Sequence, residues 1–228
     1  MQHTKMLHRK SAVSLKKLDS IPAMTQMLLT LVLFIRACSP AETRDNEPLN
    51  RQTTDPNKIL IVYLSRTNNT KAIAEIIQKN VGGRLVALEL KTPYPENYKA
   101  IVDQVVSENA TGFLPPLKTK IDSMEKYDVI FLGFPTWGMQ LPPPVKSFLK
   151  QNDLSGKKIV PFNTNAGYGT GSSFDTVKEL CPNSKVMEGY STKGGVERDG
   201  IFFVMKGEKE KQAEMEVKNW LKKLNMVK

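Results

Sequence analysis

Histidine is almost missing from this chain: the only two, His3 and His8, fall within the first ten residues. From Lys58 to the end there is no imidazole, which excludes Ser–His–Asp triads, histidine general bases and most transition-metal sites from that stretch. Cysteine is as scarce, with Cys38 and Cys181 alone. No disulfide can therefore form within residues 58–228, and no thiolate cluster can hold zinc there. Cys181 lies at helical spacing from Phe174, Val177 and Leu180 and reads as a core thiol rather than a nucleophile. Neither GxGxxG nor GxxxxGK[ST] occurs, so the dinucleotide fingerprint and the Mg-nucleoside-triphosphate loop are both excluded. The longest apolar run, Met27–Ile35 (MLLTLVLFI), has nine residues and is too short to span a bilayer.

The formal charge is +10, from 33 Lys and Arg against 23 Asp and Glu. Residues 1–57 hold eight basic and five acidic side chains, so +3; residues 58–228 hold the other 25 and 18, so +7. After Lys58 the basic residues never run five together. They read as a solvated basic surface, not as a nucleic-acid stripe, and no nucleic-acid partner is expected.

Residues 1–38 read as a leader. Lys16 and Lys17 precede the Met27–Ile35 run, as in a secretory signal, and Ile35-Arg36-Ala37-Cys38 is similar to a bacterial lipoprotein cleavage box. Cys38 is then the candidate lipidation site, and the chain an exported, membrane-anchored lipoprotein; the alternative is an uncleaved leader and a cytoplasmic protein. Residues 39–57 hold three prolines and little to bury, as a flexible tether would.

From Lys58 onward strand and helix patterns alternate. Lys58–Leu64 is a continuous apolar run, as in a strand covered on both faces. The helical segment Thr70–Asn80 stops at Gly82-Gly83. Strands follow at Arg84–Leu90, Tyr127–Phe134, Lys158–Asn163 and Lys185–Tyr190. Helices follow at Glu96–Asn109, Pro142–Leu149, Ser172–Cys181 (capped by Ser172 or Ser173) and Glu208–Met226. Gly200–Met205 (GIFFVM) is either an extra edge strand or a loop. The fold class expected is α/β: a doubly wound, five-stranded parallel sheet of order 2-1-3-4-5, occupying residues 58–228.

In such a sheet ligands bind beyond the carboxyl ends of the strands, which singles out three loops. Ser65, Arg66, Thr67, Asn68, Asn69 and Thr70 lie at the mouth of the first helix. Unpaired amides, a positive dipole end and hydroxyls there suit a phosphate; the bland alternative is a capped helix without a ligand. Pro135, Thr136, Trp137 and Gly138 follow the third strand and put a flat ring beside a flexible backbone position. Thr164, Asn165, Ala166, Gly167, Tyr168 and Gly169 follow the fourth, a tight glycine-rich turn with one aromatic. Together they fit a planar aromatic ligand that carries a single phosphate.

The segments VYLSRTNNTKAIAEII, YDVIFLGFPTWGMQLPPPVKSFL and IVPFNTNAGYGTGSS resemble the flavodoxin family, and LKTPYPENYKA resembles a PYP-x-x-Y region of one bacterial branch. The likeness covers Lys58 to Lys228. It implies noncovalent FMN, with the first loop at the phosphate and the other two at the flavin ring. It also implies electron transfer with a redox partner protein or a quinone; the alternative is an NAD(P)H-dependent quinone or nitro-compound reductase. Asn68 stands where the family pattern has glycine, so a positive φ is expected at Asn68.

Overall fold

The structure is a computed structural model that describes residues 54–228. The candidate leader, Cys38 and most of the tether lie outside the described residues. Near the start of the described residues Asp55 caps a short 3-10 turn, Pro56–Lys58.

The parallel sheet is built from β1 (Ile59–Tyr63), β2 (Arg84–Ala87), β3 (Val129–Pro135), β4 (Lys158–Asn165), β5 (Lys185–Val186) and β6 (Tyr190–Lys193). Its order is β2-β1-β3-β4-β5, with β6 also paired to β4. The helices are α1 (Asn69–Val81), α2 (Tyr98–Thr111), α3 (Pro143–Gln151), α4 (Ser173–Leu180) and α5 (Glu208–Lys223). All five residues of β1 are buried, as a central strand covered on both sides requires.

Alternation along the strands sends side chains to two cores. On one face Ile59, Ile61, Phe131, Val160 and Phe162 meet Ile73 and Ile77 of α1 and Ala213, Val217, Trp220 and Leu221 of α5. On the other, Leu60, Val62, Ile130, Leu132 and Phe134 meet Val145, Phe148 and Leu149 of α3 and Val177 of α4. Cys181 lies in this second core.

Three details depart from the sequence reading, and a fourth settles what it left open. The expected strand Lys185–Tyr190 is two strands, β5 and β6, which occupy the fifth position end to end. The break has a cause in β4. Ile159 O accepts from Met187 N–H, but the next donor on that edge is Pro161, which has no N–H to return. Pairing resumes at Phe162 and Tyr190.

The second strand ends at Ala87, not Leu90. Thr119 crosses there, its Oγ1 donating to Ala87 O and accepting from Glu89 N–H, and Leu90 instead pairs antiparallel with Leu117. Gly200–Met205 forms no strand: Ile201 makes one bridge to Val196, and the backbone beyond it is held by Asn69. Ser172 occupies the N-cap position of α4 without capping it. Its Oγ reaches Met139 O instead, and the Ser173 hydroxyl is buried with no partner.

Candidate functional site

The loop after β1 folds around Asn68, whose φ of 63° places it in the left-handed region. Asparagine is the non-glycine residue that tolerates this best, which is how the turn forms without a glycine. The turn aims the chain into α1 and leaves its first amides free. Among the described residues nothing accepts from the N–H groups of Thr67, Asn68, Asn69 or Thr70. Ser65 Oγ accepts from Lys71 N–H, and Thr70 Oγ1 bonds Thr164 Oγ1 at 2.8 Å, joining this loop to the end of β4.

Asn69 is buried and faces inward to several partners. Its amide nitrogen donates to Thr67 Oγ1 and Phe202 O, and its carbonyl accepts from Val204 N–H. Arg66 is engaged in the same way. It forms a 2.6 Å ion pair with Glu197 and donates to the carbonyls of Pro95 and Glu96. It thereby clamps the loop to the start of α2 and to the segment after β6.

The loop after β3 is a two-residue hairpin. Trp137 and Gln140 exchange backbone hydrogen bonds across Gly138 and Met139, whose φ values are 55° and 59°. Both signs are those of the I′ turn that suits such hairpins. Met139 is a costly residue for this conformation, and its carbonyl is held by Ser172 N–H. The Trp137 ring meets Tyr94 edge-on, with centroids 5.4 Å apart, and Tyr94 donates its hydroxyl to the buried Glu108 of α2. Burial, reinforced by that carboxylate, raises the Tyr94 phenol well above its ordinary range.

Asn165 organises the third loop. Its carbonyl oxygen accepts from Gly167 N–H at 2.8 Å and from Gly169 N–H at 3.1 Å, curling the loop around one side chain. Thr136 ties the second and third loops together: its N–H donates to Thr164 O and its hydroxyl to Gly169 O. Tyr168 projects from this frame, 68% exposed. The guanidinium of Arg198, beside Asp199 and the Tyr168 hydroxyl, is raised further above its already high range.

The three loops open on one cavity of about 620 Å³, within the range of small-molecule sites. Of the sixteen candidate residues, thirteen line it; Ser65, Asn68 and Gly167 do not, acting on the backbone shape instead. Two further walls were missed in the sequence. One is Gly194–Arg198, following β6. The other is the face of α2 made by Tyr98, Ile101, Val102, Val105, Val106, Asn109 and Ala110. The α2 stripe was visible as a helical period, which normally signals packing on a core. The Gly194–Arg198 wall had only the Gly194-Gly195 pair to mark it.

The residues fit a phosphorylated planar cofactor. The acceptor-free amides of Thr67, Asn69 and Thr70 and the Thr67 hydroxyl form the anion end, and Trp137 and Tyr168 flank the rest. At Gly194, a Cβ would come within 3.3 Å of Asn69 and Thr164, so the missing side chain permits the close approach of this wall to the loop.

Comparison with known proteins agrees with this arrangement. A flavodoxin from Synechocystis sp. is 27% identical over 121 residues, which are 51% of this chain and 57% of that protein. This chain therefore matches little more than half the length of that relative. A candidate flavoprotein from Bacteroides eggerthii is similar in structure with a TM-score of 0.59 and 27% identity, covering 75% of this chain and 99% of that one. A flavoprotein from Lactobacillus acidophilus, solved in complex with FMN, has the same fold, with a TM-score of 0.53, 21% identity and coverage of 64% and 98%. The sequence pattern that defines the flavodoxin family matches residues 58–206, and the chain belongs to that family.

Proposed function

We propose that this protein binds FMN noncovalently and serves as an electron carrier. The observation that carries this reading is the set of free amides of Thr67, Asn69 and Thr70, residues on the same cavity as Trp137 and Tyr168. The phosphate is assigned to those amides, to the Thr67 hydroxyl and to the dipole of α1. The ring is assigned to the Trp137 and Tyr168 loops. When bound, FMN supplies the one- and two-electron chemistry; the chain supplies position, exclusion of water and control of potential.

The alternative is an FMN-dependent NAD(P)H:quinone or nitro-compound reductase. It is favoured by one observation, the extension of the cavity along α2, which gives room beyond the three loops. Two measurements separate these readings. The absorption spectrum of the purified protein with added FMN reports binding. Anaerobic mixing of that holoprotein with NADPH then distinguishes a reductase, which bleaches rapidly, from a carrier, which stays oxidised until a partner protein is supplied.

We also propose that the domain is held at a membrane through a lipid on Cys38. The support is the leader pattern and the polar tether that follows it. Among the described residues no helix is long and apolar enough to cross a membrane. Cells producing the full chain, fed a labelled fatty acid, should yield labelled protein, and Cys38→Ser should abolish the label and release the protein from the membrane fraction.

A further inference from the structure

Pro93-Tyr94-Pro95, between β2 and α2, touches two of the loops that frame the cavity. Arg66 of the first loop donates to Pro95 O at 2.9 Å. One residue earlier, the Tyr94 ring meets Trp137 of the second loop, with centroids 5.4 Å apart and planes at 86°. The proline that follows Tyr94 confines its backbone to extended conformations. The side chain is fixed at its far end, where the hydroxyl donates to Glu108 of α2.

Glu108 is a costly choice for that place. It is only 6% exposed. Its Oε2 accepts from Tyr94, and its Oε1 accepts at 2.8 Å from Gln104 Nε2, one turn earlier on α2. Among the described residues it forms no ion pair. Burying a carboxylate without a cation is unfavourable, and a position that needed only filling would carry an apolar residue. What the carboxylate adds is a strong, directed hydrogen bond to the phenol.

Trp137 has the complementary need. Its ring is half-buried at the edge of the second core and forms part of the cavity wall. No described residue accepts from its indole N–H, whereas that of Trp220 donates to Glu188 O at 3.0 Å. Packing alone fixes the angle of the Trp137 ring, and Tyr94 is the wedge against it.

We infer that Glu108 is a positioning residue for the flavin site: through the Tyr94 hydroxyl it holds the tilt of Trp137, and with it the reduction potential of bound FMN. The part that concerns potential rests on the flavin reading above. Neither Glu108 nor Tyr94 lines the cavity, so both act through Trp137.

The test uses the full chain, whose two tryptophans are replaced by 5-fluorotryptophan, first without FMN and then saturated with it. The Trp137 fluorine resonance is assigned by its loss in Trp137→Phe. Tyr94→Phe deletes the donor, Glu108→Leu deletes the acceptor, and Glu108→Gln keeps an acceptor. Each of the first two strands a polar partner; the double variant Tyr94→Phe/Glu108→Leu removes both and is the safeguard against loss of folding. The expected result without FMN is a displaced Trp137 resonance in Tyr94→Phe and Glu108→Leu, an unmoved Trp220 resonance, and recovery in Glu108→Gln. With FMN, the potential read against a reference dye shifts in the same direction in both single variants. The double variant shifts no further, because the two residues act as one unit. In a Trp137→Ala background Glu108→Leu has no effect on the potential. An unmoved Trp137 resonance and an unmoved potential in both single variants would reduce the pair to a structural role and overturn the inference. So would a Glu108→Leu shift in potential that persists without Trp137, or a Glu108→Gln protein displaced as far as Glu108→Leu. A wild-type chain that takes up no FMN sinks the flavin reading, while the fluorine spectra of the apo chain still decide whether Glu108 orients Trp137.

Discussion

The side chain of Asn69 fixes the backbone at Val204, accepting its N–H at 3.0 Å and donating to Phe202 O at 2.6 Å. The two partners lie 133 and 135 residues away in sequence. One buried amide therefore spans the first turn of α1 and the segment that follows β6. That segment carries Gly194–Arg198, a wall of the cavity, so the anion end and its cover are mechanically joined.

Asn69→Ala removes these bonds and strands the Val204 amide. A loss of about 1–3 kcal/mol in stability is expected, from the buried donors and acceptors left unpaired. Asn69→Asp keeps an acceptor for Val204, loses the donor to Phe202, and adds a negative charge beside the free amides. It should weaken FMN binding more than alanine does. Urea unfolding gives the first effect, and FMN titration monitored by flavin fluorescence gives the second. Equal FMN affinity in the two variants would show that the anion does not sit at these amides.

Much of this fold was legible because it rests on local pattern. Unbroken apolar runs marked strands covered on two faces, and the 3.6-residue period marked the helices between them. The three loops were legible because strand ends in a doubly wound sheet point to one edge. What was not legible was long-range. A helical stripe such as Ile101–Val106 says that a face is covered, not whether a core or a cavity covers it. The Asn69–Val204 bond has no local sequence trace. The interruption between β5 and β6 had one: Pro161 in KIVPFN lacks the N–H that a continuous neighbouring strand would need.

Asn68 offers a test of backbone conformation. Its φ of 63° and ψ of −1° suit glycine at no steric cost. Asn68→Gly should preserve FMN binding and change stability by less than about 1 kcal/mol, with unfolded-state entropy opposing the relief. Asn68→Val should cost about 1–2 kcal/mol or more, because a β-branched side chain is a poor occupant of this region. It should also weaken FMN, since α1 would start with its amides misdirected. Thermal melts with and without FMN separate the two effects.

Gly138 tests whether the Trp137 hairpin tunes the cofactor. A Cβ placed there meets nothing within 4 Å, so Gly138→Ala adds no clash. Its cost is the positive φ of 55°, about 1 kcal/mol. The hairpin should also lose freedom to rotate the Trp137–Gly138 peptide, whose carbonyl now accepts from Gln140 N–H at 3.0 Å. A shift in the reduction potential of bound FMN is therefore expected, read against a reference dye under anaerobic conditions. Gly138→Asn, which tolerates the same φ, should lie nearer wild type in stability. A potential identical in all three proteins would remove this peptide from any role in redox control.

Cys181 predicts a pH dependence of stability that has nothing to do with the flavin. Burial in the core between the sheet, α3 and α4 pushes its thiol up from an ordinary 9.0 to about 11. The folded chain then keeps a proton that the unfolded chain releases. Below about pH 9 both states are protonated and the contribution is fully present. Between about 9 and about 11 the unfolded state binds fewer protons, so stability falls as pH rises. A shift of this size corresponds to at most about 3 kcal/mol, reached only at the top of that window. At neutral pH Cys181→Ala should be the less stable protein, by about 1 kcal/mol, because it leaves a small void in the core. Its stability lacks the thiol's alkaline loss, so the gap should narrow and then reverse as pH climbs past the unfolded value. Urea unfolding of both proteins at intervals from about pH 7 to about pH 10 reads that difference directly. A gap that stays constant across the series would mean that the thiol titrates alike in the folded and unfolded chains, and that it is not held in the core.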